Sequence, residues 1–381
     1  MKKIVLPLGI LALVGAAFVA WLAFLPNVPD GPEGRPDEPH SVRLPEDTPF
    51  EAAIDSLASA GAVSSVTSLR LLGTLTGWGD QVKTGHYLLK PGMSNWAVLN
   101  KIRKGLQDPI QITIPGGLTP ARFGRVLRNQ LGADSAEVVA ALADPGLAAQ
   151  LGTDPAHLLG HMRGNTYDIR WTTNARRAIT RIHEWHGRYW TDEKTAQAEA
   201  LGLTPDEVTT VASIVEMEAR KPEEMPRIAG VYLNRLLGRT SSGTMRLQAD
   251  PTVQYALMAA GEPRPRRLLF VDYRTPSPYN TYLIDGLPPG PITNPSDAAL
   301  DATLAPERHE FLFFVADGTG GHDFSRTVGE HNAKAARWSA WLSAQVRERR
   351  QRETASGISG ALGAALGAAT GEGPAPTRPA P

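Results

Sequence analysis

Between Ile4 and Leu25 the chain carries no charged side chain and is mostly apolar. As a helix this run would be about 33 Å long, the thickness of one hydrocarbon core. Lys2 and Lys3 precede it, whereas Asn27 to Glu46 holds five acidic residues and only two arginines. That asymmetry predicts a cytoplasmic N-terminus, with the bulk of the chain on the far side of the membrane. A cleaved signal peptide would carry an apolar region of roughly 7–15 residues before a small-residue site. This run is longer and ends Trp21-Leu22-Ala23-Phe24-Leu25-Pro26. Residues 1–26 are therefore read as a cytoplasmic start and a single uncleaved transmembrane helix.

The remaining chain has material for a folded core. Hydrophobic residues make up 42% of the 381, which excludes global disorder. Lys+Arg and Asp+Glu are 39 each, so no net charge points to a nucleic-acid partner. Cysteine is absent, which excludes disulfides, thiolate metal sites and a cysteine nucleophile. His183-Glu184-Trp185-His186 has the wrong spacing for a two-histidine zinc helix. No metal or other cofactor is expected.

The organisation read along the chain is α+β. Five prolines between Asn27 and Glu46 predict an extended spacer over residues 27–46. A small α+β module covers 41–113, with a strand at Thr84 to Leu89 and a helix capped by Ser94. Residues 114–347 mix helices with short strands, Phe311 to Val315 among them. Residues 351–381 turn to Ala, Gly, Pro and Thr. Their apolar part is too short to span a membrane, and the segment reads as a disordered tail.

One helix carries candidate chemistry. Thr204-Pro205-Asp206-Glu207 is a capping box with proline at the first helical position. From Val208 to about Arg220 the apolar positions are Val208, Val211, Ala212, Ile214 and Val215. Glu218 follows Val211 by seven residues, Ile214 by four and Val215 by three, so it shares their face. Glu216 falls on the opposite, solvated side. Partial burial disfavours the charged form of Glu218 and raises its pKa. A carboxylic acid still protonated near neutrality suits a general acid, although a structural carboxylate produces the same pattern.

The segment Ala212-Ser213-Ile214-Val215-Glu216-Met217-Glu218 resembles a motif of the endolytic murein transglycosylases, the MltG/YceG-like family. Further matches follow in order. They are Ile228 to Leu236, Met245-Arg246-Leu247-Gln248-Ala249-Asp250-Pro251-Thr252-Val253, Ser277-Pro278-Tyr279-Asn280-Thr281-Tyr282, and Gly286 to Ile292 before Asn294-Pro295. Phe314 to Gly318, Gly321-His322 and His331-Asn332 complete the set. The sequence departs from the family pattern between Leu159 and Tyr167, where Gly160 and Thr166-Tyr167 remain, and at Gly116.

The resemblance implies a membrane-anchored enzyme with a LysM-like module and a catalytic domain over 114–347. It implies cleavage of nascent peptidoglycan glycan strands between N-acetylmuramic acid and N-acetylglucosamine, leaving a 1,6-anhydro end and terminating glycan growth. Glu218 matches the catalytic glutamate. Gln248, Asp250, Tyr279, Asn280 and Tyr282 are candidates for holding sugar hydroxyls and acetamido groups, and turn chemistry is the competing explanation for Asp250 to Pro251 and Pro278 to Asn280. The expected partners are glycan strands, the bacterial cytoplasmic membrane through the N-terminal helix, and wall-synthesis enzymes. Two other readings remain open: a hydrolytic muramidase using a second carboxylate such as Asp250, and a non-catalytic glycan-binding scaffold.

Overall fold

The computed structural model describes residues 2–262 and 268–370. The chain divides into two units: one runs to Ser213 and takes back Pro289–Leu300, and the other holds Ile214–Pro288 and the chain from Asp301 onward. The architecture is mixed α+β, with three separate antiparallel strand pairs among many helices.

The first unit opens with helix α1 (Lys2–Phe24). The expected membrane helix falls partly on residues 2–9 and 12, whose side chains lie outside the described residues. Among the described residues no helix is long and apolar enough to cross a membrane. Next come β1 (His40–Leu44), α2 (Phe50–Ser59), α3 (Val66–Thr76), β2 (Gly85–Leu89) and α4 (Asn95–Arg103). Strands β1 and β2 pair antiparallel with Val42 opposite Tyr87. Alternation along β1 buries Val42 and Leu44 against Ile54, Leu57, Leu69, Leu72 and Val98. Ser94 caps α4 as its position predicts, its side chain accepting the Ala97 amide.

Residues 27–46 differ from the expected free spacer. Val28 is buried in the same core as Leu22 and Ala23, and the Asn27 and Val28 amides donate to the Met93 carbonyl at 2.9 and 3.1 Å. Asn27 Nδ2 donates to Asn95 Oδ1 at 2.6 Å, and Asn95 Nδ2 donates to the Leu22 carbonyl at 3.0 Å. The prolines stiffen this stretch, but apolar burial and paired amides hold it down. The end of α1 is thus joined to the module.

Strand β3 (Pro109–Ile114) begins the rest of the unit and pairs with β4 (Asn165–Arg170), Ile112 opposite Tyr167. Between them lie α5 (Pro120–Leu131), α6 (Ser135–Leu142), α7 (Pro145–Gln150) and α8 (Pro155–Leu158); α9 (Ala175–Tyr189), α10 (Asp192–Leu201) and α11 (Pro205–Glu218) follow. Thr119, Asp134, Asp144, Asp154, Asn174 and Thr191 each cap a helix start through a side-chain oxygen. The predicted capping box is present, Thr204 N donating to Glu207 Oε2 at 2.8 Å and Glu207 N to Thr204 Oγ1 at 3.2 Å.

The segment that departs from the family pattern is rebuilt around its own pairs. His161 bonds Asp206 at 2.9 Å, and buried Arg163 pairs with Asp297. Gly160 is retained for a steric reason: a Cβ there would sit 2.4 Å from Pro291 Cγ. The proline-rich stretch near Pro291 therefore packs on this unit. Asn294 accepts the Leu118 amide at 2.7 Å and donates to the Pro115 and Met162 carbonyls at 2.8 Å each.

The second unit contains the end of α11, then α12 (Met225–Leu237), α13 (Asp250–Ala259), the end of α14 (Asp297–Leu304), β5 (Phe313–Ala316), β6 (His322–Ser325) and α15 (Val328–Thr370). Strands β5 and β6 form a hairpin with Phe314 opposite Phe324. Helix α15 continues through residues 351–370, which the sequence reading assigns to a disordered tail. Alanine recurs through that stretch and is the strongest helix former, which outweighs the scattered glycines. Residues 371–381 lie outside the described residues.

Replacing Asn95 by alanine strands the buried polar groups of Asn27 and Leu22. We expect a stability loss of about 2–4 kcal/mol in urea unfolding followed by tryptophan fluorescence.

Candidate functional site

The site lies within the second unit and starts from the last residue of α11. Val211, Ile214 and Val215 are fully buried, so the helix face they define is fixed. Glu218 extends that face into an open cleft of about 560 Å³, also lined by Tyr232, Arg235, Gln248, Asp250, Tyr273, Tyr282, Phe313, Phe314, His322, His331 and Asn332. Glu216, expected to be solvated, is half-buried.

Burial pushes the Glu218 carboxyl up to about 7. The Asp250 charge adds to the rise; the Tyr232 hydroxyl, donating to Glu218 Oε1 at 2.9 Å, and the Arg235 charge oppose it. Arg235 makes no ion pair with Glu218 among the described residues. Its Nε donates to the Leu312 carbonyl at 2.6 Å, and its Nη1 to the Leu247 carbonyl. With those donors committed, desolvation wins and the acid stays protonated near neutrality. Burial also raises the Tyr232 phenol well above its ordinary range, so it remains a donor.

The opposite wall begins at Gln248, whose φ of 48° is left-handed. Such a conformation costs a non-glycine residue about 1 kcal/mol or more and persists only when over-determined. Here Gln248 N donates to the Thr281 carbonyl at 3.1 Å, and Ala249 N to Thr281 Oγ1 at 3.0 Å. Asp250, at the start of α13, accepts the Tyr282 hydroxyl at 2.7 Å and the Tyr273 hydroxyl at 3.3 Å. The two tyrosine rings meet edge to face at 4.6 Å.

Of the residues singled out from sequence, the fold gathers Glu218, Gln248, Asp250 and Tyr282 on one cleft. Tyr279 and Asn280 are not among its lining. Asn280 is fully buried, donating to the Tyr273 and Thr275 carbonyls and accepting the Tyr282 amide, so it shapes the loop that presents Tyr282. Tyr279 packs against Tyr255, ring centroids 4.5 Å apart and planes tilted by 48°. The sequence assigned no site role to Tyr232, Arg235, Tyr273, Phe313, Phe314, His322, His331 or Asn332, although all but Tyr273 and Phe313 lie in the family-like segments. For Tyr232 and Arg235 a signal existed: two polar head groups three residues apart on the buried face of an apolar helix. For His322 and His331 the signal was their place in the family-like segments Gly321-His322 and His331-Asn332, which by itself attaches no role to them.

The arrangement supplies a protonated acid, hydrogen-bonding side chains and aromatic walls, a combination suited to acid-assisted cleavage of a polar, ring-containing substrate.

Comparison with known proteins fits this chemistry. The YceG-like family model matches residues 42–337. A Bacillus subtilis (strain 168) protein named endolytic murein transglycosylase is 28% identical over 265 residues, covering 66% of this chain and 71% of that protein. One of the same name from Streptococcus pneumoniae strain D39 is 28% identical over 327 residues, covering 76% of this chain, which spans 58% of that protein's length. The crystal structure of a YceG-like protein from Listeria monocytogenes aligns with a TM-score of 0.53 at 27% identity, covering 78% of this chain and 98% of that one.

Two outcomes follow from the elevated Glu218 pKa. Tyr232→Phe removes a donor to the ionised form, so the Glu218 pKa is expected to rise above 7 in a carboxyl ¹³C NMR titration. The folded protein also binds this proton more tightly than the unfolded chain, whose value is near 4.5. Stability is therefore lost as pH rises from about 4.5 to about 7, by about 3 kcal/mol in total. Glu218→Gln is expected to be more stable than wild type at pH 8 and to lose that advantage at pH 4.5, as measured by urea unfolding.

Proposed function

Because the chain belongs to the YceG-like family, we propose that it is an endolytic lytic transglycosylase. In this reading it cleaves peptidoglycan glycan strands between N-acetylmuramic acid and N-acetylglucosamine. The observation that carries the reading is the Glu218 carboxyl, desolvated and held near pKa 7 in the cleft. The protonated carboxyl gives its proton to the glycosidic oxygen as the C1–O bond breaks. The muramic acid C6 hydroxyl then attacks C1, and the Glu218 carboxylate takes the proton released from O6. A C1–O6 bond replaces the glycosidic bond, no water is consumed, and Glu218 returns to its starting state. One carboxyl group serves both steps, unlike the two of ordinary glycosidases.

Gln248 and Asp250 offer hydrogen bonds to sugar hydroxyls and acetamido groups, and Tyr273 and Tyr282 offer ring faces for stacking. Hydrolysis would need a second carboxylate to activate water. Both Asp250 oxygens already accept phenol hydrogen bonds, which holds the carboxylate on Tyr282 and Tyr273 rather than on a water and favours the anhydro-forming route.

The apolar run ending at Leu25 is proposed as a single transmembrane anchor, with the folded chain outside the bacterial cytoplasmic membrane. Residues 41–113 are proposed as a LysM-like glycan-contacting module. The join between the end of α1 and this module favours action close to the bilayer, on nascent strands beside the enzymes that polymerise them.

Mass spectrometry of strands digested by the full-length chain tests the reading. New ends one water lighter than reducing ends are expected; reducing ends would mean hydrolysis. Glu218→Gln should lower the cleavage rate at least about a hundredfold, and wild-type kcat/KM should fall as pH rises through about 7.

A further inference from the structure

His322, at the start of β6, lines the same cleft as Glu218. Its ring is largely enclosed, the side chain 12% exposed against 17% for Glu224. Glu224 grips it at two points. Oε2 accepts from Nδ1 at 2.9 Å, and Oε1 accepts the His322 backbone amide at 3.0 Å.

The turn before it is built to allow this grip. A Cβ on Gly321 would lie 2.6 Å from Glu224 Oε1 and 3.0 Å from Asp317 Oδ2. Asp317 Oδ1 in turn accepts the Thr319 amide at 2.7 Å and the Gly321 amide at 3.1 Å. Phe314 meets the imidazole edge to face at 5.1 Å. The ring is therefore fixed in position and orientation.

The Glu224 oxygens face two donors, the His322 amide and Nδ1, so Nδ1 is the ring nitrogen that carries a proton here. In that Nδ1–H tautomer Nε2 presents a lone pair. Nε2 has no hydrogen-bond partner among the described residues, and His322 is part of the cleft lining. A fixed acceptor on the wall of a sugar cleft recognises a donor.

We propose that His322 is a substrate-contact residue whose Nε2 accepts a hydrogen bond from a hydroxyl or acetamido N–H of the glycan, and that Glu224 is the positioning residue that fixes its tautomer. The proposal rests on the glycan-cleaving reading of this cleft. It gives Glu224, six residues beyond Glu218, a part in ground-state binding rather than in proton transfer.

Two substitutions separate binding from folding. His322→Asn keeps a donor to Glu224 where Nδ1 stood but deletes Nε2. Glu224→Gln must keep its oxygen on the backbone amide, which turns its NH₂ toward Nδ1 and forces the ring proton onto Nε2. Each is expected to raise KM for glycan strands about tenfold, with kcat within about twofold of wild type and the melting temperature preserved. His322→Gln, whose amide oxygen reaches the Nε2 position, should recover much of the loss.

Two-bond ¹H–¹⁵N NMR of the full-length chain gives the second readout: the neutral Nδ1–H tautomer in wild type and the Nε2–H tautomer in Glu224→Gln. Affinity of the Glu218→Gln chain for peptidoglycan strands should drop by the same factor when His322→Asn is added. A doubly protonated ring in wild type, an unchanged KM in His322→Asn, or losses confined to melting temperature would overturn the proposal. If wild type still leaves anhydro ends, such results overturn this inference alone. Failure of wild type to cut strands at all would overturn the reading on which it rests.

Discussion

A carboxyl group buried near a guanidinium would normally ionise, because the cation compensates the lost hydration. Here that compensation is only partial. Arg235 directs Nε and Nη1 to the Leu312 and Leu247 carbonyls, and the hydrogen bond to Glu218 comes from the Tyr232 phenol. The same two bonds tie α12 to the chain entering the Gln248 turn and to the chain entering β5. The arginine therefore joins the walls of the cleft while keeping its charge from fully ionising the acid between them.

The wall opposite Glu218 depends on a polar core of similar economy. Thr252 and Thr281 meet at 2.8 Å, and Thr281 caps the amides of Gln248 and Ala249. Those bonds sustain the left-handed Gln248 and deliver Asp250 to the head of α13. Asn280, fully buried, arranges the loop so that Tyr282 and Tyr273 both reach Asp250. Residues that look like ligand contacts in a sequence thus divide into those facing the cleft and those holding the others there. Asn280 falls in the second group, and Tyr279 packs on Tyr255 away from the cleft lining.

In the first unit, specific polar pairs do comparable work. Asn27 and Asn95 bond across the join between α1 and the module. His161 with Asp206 and Arg163 with Asp297 occupy the stretch where the sequence leaves the family pattern. These pairs hold that stretch within the first unit, while Glu218 and the walls of its cleft belong to the other unit.

Features that depend on near neighbours along the chain are readable from the sequence alone. The capping box at Thr204, the Ser94 cap and the helical face carrying Glu218 are all set by residues within one or two turns, and spacing suffices to read them. The α+β mixture was legible for the same reason. Long-range partnerships, by contrast, exist only once the chain has folded. The prolines of 27–46 suggested a free spacer until Val28 and Asn27 found a core to join. The long α15 and the burial of Glu216 were likewise invisible locally. Tyr232, Arg235 and His322 acquired their places because segments distant in sequence converge on one cleft, and the Glu218 pKa follows from desolvation and charges that exist only after that convergence.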